Sequence, residues 1–413
     1  MILKNMELFS REILTEIKPF LFRKEAIFIK GLRRVGKTSL MFLIKDFLIT
    51  EKKISPQETY FFDLEDLEIR NDFNQNPQNI FSYISSSKDK KYVFIDEIQY
   101  LDHPSNFIKI LTDHHQNLKI IASGSSSLDI KRKIQDSLVG RVFYFQLYPL
   151  NFFEFLNFKK LSFPEKTSPS KQKNINSLLE EYLKYGGMPS VVLEKNKKIK
   201  EALLNNYVNL YISKDIRNLT EIENISGFNK MTKILSSQIG NLLNKGEISN
   251  TLGLSYQTVN RYLNILDYTY ILIFLEPFFK NIRSQLSKKN KIYFYDLGIR
   301  NALINNFNDL IYRTDSGALL ENFIFLQLLS IFEKNLIYFY RNANKIEVDF
   351  IIENPSLAIE VKFKKFKSKK VFRNFDSLKD FKKFVVNLNF SQKNKSYDFI
   401  DWWSFLKLIK KIN

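Results

Sequence analysis

Short apolar runs alternate with segments of helical period between residues 25 and 149. This alternation is typical of strands and helices that follow one another in a parallel α/β sheet. The runs contain few polar residues, which favours strands that are buried on both faces. They predict five strands: AIFIKG (26–31), TYFFDLED (59–66), KYVFIDE (91–97), LKIIASG (118–124) and RVFYFQLYPL (141–150).

The pattern changes after residue 149, where helical periodicity predominates. A Pro-, Ser- and Lys-rich stretch at 159–173 predicts a loop, and YGGMP at 185–189 predicts a second break. Short helical segments fill 220–285, and helix and strand patterns mix again from about 315 to the end. We therefore expect an α/β multidomain protein with four parts: an α/β core (1–150), a helical lid (151–220), a module of short helices (221–290) and a second α/β domain (291–413).

The apolar segments predict no membrane anchor. The first twenty residues carry charges every few positions, which favours an amphipathic helix over a signal peptide. The longest apolar run, 268–275, is too short to span a bilayer. We expect a soluble, cytoplasmic protein with no membrane partner.

The amino-acid composition of the chain excludes several kinds of catalytic and metal-binding site. The 413 residues include no Cys, which excludes disulfides, thiolate zinc sites, iron–sulfur clusters and cysteine nucleophiles. The three His residues form no metal-binding pattern, so any metal is expected to be Mg²⁺ or Mn²⁺ bound by oxygen. A net charge of +19 permits a nucleic-acid partner. It does not prove one, because Lys, Asn, Ile and Phe are all abundant, as codon bias in an AT-rich genome would make them.

The first strand is followed by a phosphate-binding loop of Walker A spacing and then by a helix. Its residues are Gly31, Leu32, Arg33, Arg34, Val35, Gly36, Lys37, Thr38 and Ser39. Glycines in such a loop let backbone N–H groups surround a phosphate at a helix N-terminus. Lys37 is expected to bind the β- and γ-phosphates, and the Thr38 hydroxyl to ligate Mg²⁺.

Two acidic residues follow the third strand, at the edge where α/β proteins bind ligands. We expect Asp96 to hold Mg²⁺ and Glu97 to polarise the attacking water, which predicts nucleotide hydrolysis rather than nucleotide retention alone. The fourth strand ends in ASGS, and Ser123 or Ser125 could sense the γ-phosphate; both could also be ordinary turn residues. Arg141 precedes the fifth strand, where it could act as an arginine finger in a homo-oligomer or pair with Asp136 or a surface acid.

Together, GLRRVGKTS, FIDEIQ, ASGSSS, the GR–YPLNFFEF segment and YGGMP resemble the prokaryotic AAA-type ATPases that carry a C-terminal domain related to PD-(D/E)xK nucleases. The resemblance covers essentially the whole chain. It implies ATP rather than GTP, and it implies that Pro189 of the GGxP turn packs on the adenine. It assigns no second sensor arginine in the lid.

Residues 247–266 predict a helix-turn-helix that resembles a winged one. Gly253 suits the turn, Ser255 can cap the second helix, and Val259, Tyr262, Leu263 and Leu266 form its apolar stripe. The wing is expected near 271–279 and 291–296. The candidate DNA-binding residues are Ser255, Gln257, Asn260 and Arg261, with Asn264 on the same side. The alternative is a module that packs between domains without contacting DNA.

The last third has the helix–strand–strand–strand order of PD-(D/E)xK nucleases, with Glu321 in the helix and Asp349, Glu360 and Lys362 on strands. Asp349 and Glu360 would share Mg²⁺, Glu321 would orient water or metal, and Lys362 would stabilise the nucleophile or the phosphate. A basic stretch from Lys362 to Arg373 could bind nucleic acid or form a solvated surface.

Two functions follow from these motifs. The first is a Mg²⁺-dependent ATPase that couples its nucleotide state to a DNA-binding, nuclease-like region. The second is an ATP-driven regulatory switch whose C-terminal domain binds without cutting.

Overall fold

A computed structural model describes residues 7–412 apart from eight segments. The segments outside the description are 125–137, 163–168, 211–221, 223, 279–288, 343, 364–373 and 376–377. The described residues divide into two compact units, the first ending at Ser162 and the second containing 169–210 and the described residues from 222 onward.

The first unit is built on a five-stranded parallel sheet in the order β2-β3-β4-β1-β5. Its strands are β1 (Ala26–Gly31), β2 (Thr59–Asp63), β3 (Lys91–Asp96), β4 (Leu118–Gly124) and β5 (Val142–Leu147). Every residue of β3 and β4 is buried, as expected for inner strands covered on both faces. The structure thus confirms the predicted parallel α/β core.

Helices of the first unit connect these strands. They are α1 (Ile13–Ile17), α2 (Lys37–Thr50), α3 (Leu67–Gln75), α4 (Pro104–His114) and α5 (Phe152–Phe158). Apolar side chains from the sheet and from α3 and α4 form one core, which includes Phe28, Phe73, Val93, Phe107 and Ile120.

Two boundaries differ from those predicted. Helix α1 has only five residues and is followed by a 3₁₀ turn, Lys18–Phe20, because Pro19 cannot continue an α-helix. Helix α5, which was predicted to begin the lid, belongs to the first unit. Asn151 and Glu154 form a capping box at its start, and Glu154 also pairs with Arg11. The predicted lid of 151–220 is therefore divided between the two units.

The second unit begins with helices. They are α6 (Pro169–Tyr185), α7 (Pro189–Leu193), α8 (Lys197–Leu210), α9 (Ile225–Ser237), α10 (Lys245–Leu252), α11 (Tyr256–Tyr268), α12 (Leu297–Leu303), α13 (Ser316–Leu329) and α14 (Trp402–Lys410). A two-stranded antiparallel sheet follows α11 and consists of β6 (Leu272–Leu275) and β7 (Lys291–Phe294). It lies where the wing was predicted.

A six-stranded mixed sheet forms the C-terminal part, in the order β12-β13-β11-β10-β9-β8. The strands are β8 (Ile337–Arg341), β9 (Glu347–Ile352), β10 (Leu357–Lys362), β11 (Lys382–Asn387), β12 (Gln392–Lys393) and β13 (Asp398–Asp401). Strands β8, β9 and β10 are antiparallel neighbours, whereas β10, β11 and β13 run parallel. Helix α13 is buried on nearly all sides, and its Phe325 stacks on Phe350 of β9.

None of the helices in the described ranges has the length and apolar character needed to cross a membrane.

Candidate nucleotide site and carboxylate cluster

The phosphate-binding loop lies between β1 and α2 of the first unit, as predicted. Gly36 has φ +99° and precedes α2, a backbone conformation that favours glycine. A Cβ at Gly31 would overlap the Leu147 carbonyl of β5, so close strand packing requires glycine there. Lys37 is buried, and its Nζ donates to the carbonyls of Gly31 and Leu32 at 3.3 and 3.0 Å. Burial lowers the pKa of Lys37.

Asp96 accepts hydrogen bonds from the side chains of two other predicted site residues. The Thr38 hydroxyl donates to its Oδ2 at 2.6 Å, and the Ser123 hydroxyl donates to its Oδ1. Strand β4 lies between β1 and β3, and this order brings Ser123 next to Asp96 at the end of β3. Burial raises the pKa of Asp96. A hydroxyl and a carboxylate this close fit the oxygen ligands that Mg²⁺ prefers.

Glu97 has a left-handed backbone, with φ +53° and ψ +46°. Its N–H donates to Asp96 Oδ1 at 3.1 Å and to Ser123 Oγ at 3.3 Å, and Gln99 donates to its carboxylate. A non-glycine residue in this region costs about 1–3 kcal/mol and is common at functional sites. The turn therefore fixes the Glu97 backbone beside Asp96, and Gln99 binds its carboxylate.

Arg11 also belongs to this site, although no motif in the sequence identified it. Its guanidinium donates to Glu154 at 3.0 Å, to the Val35 carbonyl of the phosphate-binding loop at 3.1 Å and to the Tyr148 carbonyl at 2.7 Å. It is 5% exposed. Arg11 thus ties the loop to α5 and to the segment after β5.

Two other predicted residues of the first unit, Arg141 and Arg33, have acidic partners other than Asp96. Arg141 pairs with Asp113 at 2.7 Å, which is one of the surface acids that the sequence allowed. Ser125 and Asp136 lie outside the described residues. Arg33 lies 3.8 Å from Glu65; Arg33 is half-buried and Glu65 is exposed.

In the second unit, the GGxP turn is bound by a buried acid. Asp296 accepts from the N–H of Gly187 at 2.7 Å and from the N–H of Ile299 at 2.9 Å. Burial raises the pKa of Asp296 to about 6. A Cβ at Gly186, whose φ is +73°, would overlap this carboxylate. Pro189 is the first residue of α7, and its contact with adenine stays a prediction.

Helices α10 and α11 have the expected helix-turn-helix geometry. Gly253 has φ +62°, and the Ser255 hydroxyl accepts from the N–H of Thr258 at 3.0 Å. The predicted apolar stripe of α11 is buried, whereas Gln257, Arg261 and Asn264 are exposed and Asn260 is half-buried. The side chains proposed to contact DNA are therefore on the outer face of α11.

The four predicted nuclease-like residues are placed around one end of the C-terminal sheet. Ile359 of β10 pairs with Phe350 of β9, so the next step of this antiparallel ladder places Glu360 opposite Asp349, on the same face. Asp349 Oδ2 accepts from the N–H of Val361 at 2.8 Å. Lys362 pairs with Glu360 at 2.5 Å.

A residue that the sequence did not single out, Lys291, connects this cluster to Glu321. Its Nζ lies 2.6 Å from Glu347, 3.0 Å from Glu321 and 3.5 Å from Asp349. Burial alone would lower the pKa of Lys291, but the surrounding acidic groups raise it well above its usual value. Tyr293, also on β7, donates to Glu321 at 2.5 Å.

Two carboxylates of this cluster have strongly raised pKa values. Burial and the charge of Asp349 raise the pKa of Glu321 to about 7 and that of Glu360 to about 8. No three acidic or His side chains in the described ranges are arranged around one point as a metal cage. Of the predicted basic stretch, Lys364 to Arg373 lie outside the description.

Comparison with known proteins gives matches to three family models. Residues 23–156 match an AAA domain, and residues 176–310 and 316–409 match two domains of unknown function (DUF8612 and DUF4143). An uncharacterized protein of Methanocaldococcus jannaschii is 29% identical over 364 residues, which cover 86% of this chain and 78% of the relative. One of Haemophilus influenzae is 27% identical over 316 residues, covering 74% and 75%.

A Walker-type ATPase of Pyrococcus abyssi is among the similar solved structures, with 15% identity and a TM-score of 0.48 over 71% of this chain and 95% of that chain. The AAA-domain match covers all five strands of the first sheet and the loop between β1 and α2. The first unit therefore matches the AAA domain family over its whole sheet, and this match implies ATP as the ligand.

Proposed function

We propose that this chain binds ATP with Mg²⁺ and hydrolyses it. The observation that carries the proposal is the 2.6 Å hydrogen bond from Thr38 to Asp96, beside the buried Lys37. This hydrogen bond places the Thr38 hydroxyl of the Walker A loop next to the Asp96 carboxylate at the end of β3. Both groups are oxygen ligands of the kind that Mg²⁺ prefers. When bound, Mg²⁺ would neutralise phosphate charge there.

The side chains have distinct roles in this proposal. The loop from Gly31 to Ser39 binds the phosphates through its N–H groups, and Lys37 exchanges its two carbonyl partners for phosphate oxygens. Glu97 accepts the proton of the attacking water, and the strained turn holds its backbone in place. Ser123 responds to the γ-phosphate through Asp96, to which it donates.

Phosphate release from ATP in the presence of Mg²⁺ tests this function. We expect turnover in the unaltered chain, no turnover with Lys37→Ala, and retained ATP binding without turnover with Glu97→Gln. Lys45→Ala is the matched control, since Lys45 is a half-buried lysine on the same helix. Turnover that survives Glu97→Gln would overturn the assigned role of this carboxylate.

We further propose that the C-terminal region binds DNA through α11. Ser255 caps this helix, Gln257, Asn260 and Arg261 lie in its first half, and the exposed Arg261 offers a charge to phosphate or to guanine. Fluorescence anisotropy with labelled duplex DNA tests this. Arg261→Ala should weaken binding and reduce the salt slope by about 1 if it contacts a phosphate. Lys233→Ala on α9 is the control, because Lys233 is also an exposed cation.

Two outcomes remain for the nuclease-like cluster. In the first, Asp349 and Glu360 support metal-dependent cutting, with Glu321 and Lys362 assisting. In the second, the region binds without cutting and the protein is an ATP-driven switch. The ion pairs of Lys291 favour the second, since they already compensate these carboxylates. Cleavage of DNA or RNA in Mg²⁺ or Mn²⁺ that Asp349→Ala abolishes would establish the first instead.

A further inference from the structure

The Lys291 ammonium has a complete set of acidic partners. An ammonium group has three N–H donors. Carboxylate oxygens of Glu347, Glu321 and Asp349 lie 2.6, 3.0 and 3.5 Å from the nitrogen, and the side chain is 2% exposed. These three acids come from β9 and α13, which are separate in sequence from β7. Lys291 is therefore the common centre of the carboxylate cluster.

The backbone around Lys291 is also fixed on two sides. Asn322 of α13 accepts from the N–H of Phe294 at 2.8 Å and donates to the Phe294 carbonyl at 3.0 Å. On the other side, the N–H of Gly240 donates to the Ile292 carbonyl at 2.8 Å. Strand β7 and helix α13 are thus held together next to the Lys291–Glu321 pair, and the placement of the ammonium is part of the fold.

A divalent ion does not fit the carboxylates in this arrangement. Mg²⁺ requires oxygens at about 2.0–2.1 Å around one point. Here the acidic oxygens surround a nitrogen at 2.6 to 3.5 Å. Among the side chains described, Glu360 Oε2 is the cluster's one buried oxygen without a hydrogen-bond partner, and a single oxygen does not form a cage.

The balance of charges in the cluster also argues against a bound divalent ion. Four carboxylates gather here, from Glu321, Glu347, Asp349 and Glu360. Lys291, Lys362 and Arg341 each form an ion pair with at least one of them. Three cations against four acids leave little negative charge for a divalent ion to compensate, and a buried site is stable only when its charges are paired.

We infer that Lys291 is the resident cation of this cluster, and that its ammonium and a divalent metal ion exclude each other there. The inference rests on the switch function proposed above and deepens it, because a resident ammonium would leave the nuclease-like region without metal chemistry. It also predicts that removal of the Lys291 side chain allows Asp349 and Glu360 to form a metal site.

Direct metal binding tests the inference without any assay of cutting. Mn²⁺ is titrated into the full-length chain without nucleotide, and bound Mn²⁺ is counted by electron paramagnetic resonance. Each chain is compared with the same chain carrying Asp349→Asn. Subtracting the Mn²⁺ bound by the Asp349→Asn chain removes the contribution of ions bound at the phosphate-binding loop. We expect no difference between the unaltered chain and Asp349→Asn. Lys291→Met should bind one additional Mn²⁺ ion that the unaltered chain does not bind, and Lys291→Met with Asp349→Asn should lose it.

Stability gives a second readout. Both tryptophans of the chain, Trp402 and Trp403, are buried in the second unit, so their fluorescence reports its unfolding. Lys291→Met should be destabilised in EDTA and recover in Mn²⁺. Lys200→Met is the matched control, since Lys200 is another buried lysine of this unit and pairs with Glu181 at 3.2 Å; it should be destabilised without recovery.

Two results would overturn the inference. One is a Mn²⁺ ion that the unaltered chain binds and Asp349→Asn loses. The other is a folded Lys291→Met chain that binds no more Mn²⁺ than the same chain carrying Asp349→Asn. If Lys291→Met does not fold, Lys291→Met with Glu347→Gln replaces it, because this pair removes one charge of each sign and keeps Asp349 and Glu360.

Discussion

Asp296 binds the GGxP turn through Gly187, whose N–H donates to its Oδ2 at 2.7 Å. The other oxygen of the same carboxylate accepts from Ile299 in the first turn of α12. The carboxylate thus joins the turn after α6 to the N-terminus of another helix, where a negative charge is favourable. Glycine at position 186, where a Cβ would overlap this carboxylate, therefore has a structural reason that does not depend on nucleotide.

Gly186→Ala should destabilise the second unit strongly. Its backbone is left-handed and a methyl group would overlap the Asp296 carboxylate, so we expect a loss of about 2–4 kcal/mol. Gly253→Ala is the control: its φ is +62° but nothing lies within 4 Å of the added carbon, so about 1 kcal/mol is expected. Urea unfolding followed by tryptophan fluorescence measures both. Equal losses in the two variants would contradict the proposed overlap.

The sequence predicted local features better than long-range pairs. Apolar runs placed the five strands of the first sheet within a few residues, since burial on both faces leaves a clear pattern. The Walker residues could be found because their spacing is local. Asp296 could not, because a single acid before a helix reads as an ordinary N-cap.

The ion pairs of Lys291 and Arg11 also could not be predicted from the sequence. In a chain with 63 Lys and Arg residues, the sequence does not show which of them has a structural role. Lys291 meets its acidic partners only after β7, α13 and β9 pack together, over sequence separations of 30 residues or more. Arg11 meets Glu154 across 143 residues. Periodicity and motif spacing contain no information on such distant pairs.

The stability of the second unit should fall as pH rises from about 5 to about 7. Glu321 and Glu360 have raised pKa values in the folded protein, about 7 and about 8, whereas both titrate near 4.5 when unfolded. In this interval the folded state therefore binds more protons than the unfolded state, and the free energy of unfolding decreases with pH. Tryptophan-monitored unfolding at several pH values measures the slope.

Glu360→Gln is the control for this pH dependence. The variant removes one of three acids of this unit with raised pKa values, the others being Glu321 and Asp296, so the slope between about pH 5 and about pH 7 should become shallower. Glu353→Gln should leave the slope unchanged, because Glu353 is exposed at the end of β9. An unchanged slope in Glu360→Gln would show that the dependence originates elsewhere.

Arg11→Met should destabilise the first unit and weaken ATP binding together. It leaves Glu154 buried without its cation, which typically costs about 3–5 kcal/mol, and it frees the Val35 carbonyl in the phosphate-binding loop. Circular dichroism and the affinity for a fluorescent ATP analogue measure the two effects. Lys18→Met, which breaks an exposed pair with Glu51, should cost less than about 1 kcal/mol. Destabilisation with unaltered ATP affinity would show that Arg11 supports the fold alone.

Arg141 distinguishes a self-contained ATPase from one completed by a neighbouring copy. Its ion pair with Asp113 is partly exposed, and such pairs are worth little, so the side chain can leave it at small cost. If Arg141 reaches a second copy, Arg141→Ala should lower the turnover number by about 10³-fold or more, the effect of an arginine finger. Asp113→Asn should not lower it, because it only releases the arginine. The ATP-bound Glu97→Gln chain should then elute as an oligomer in size-exclusion chromatography. A monomer with normal turnover in Arg141→Ala would leave Arg141 as the surface partner of Asp113.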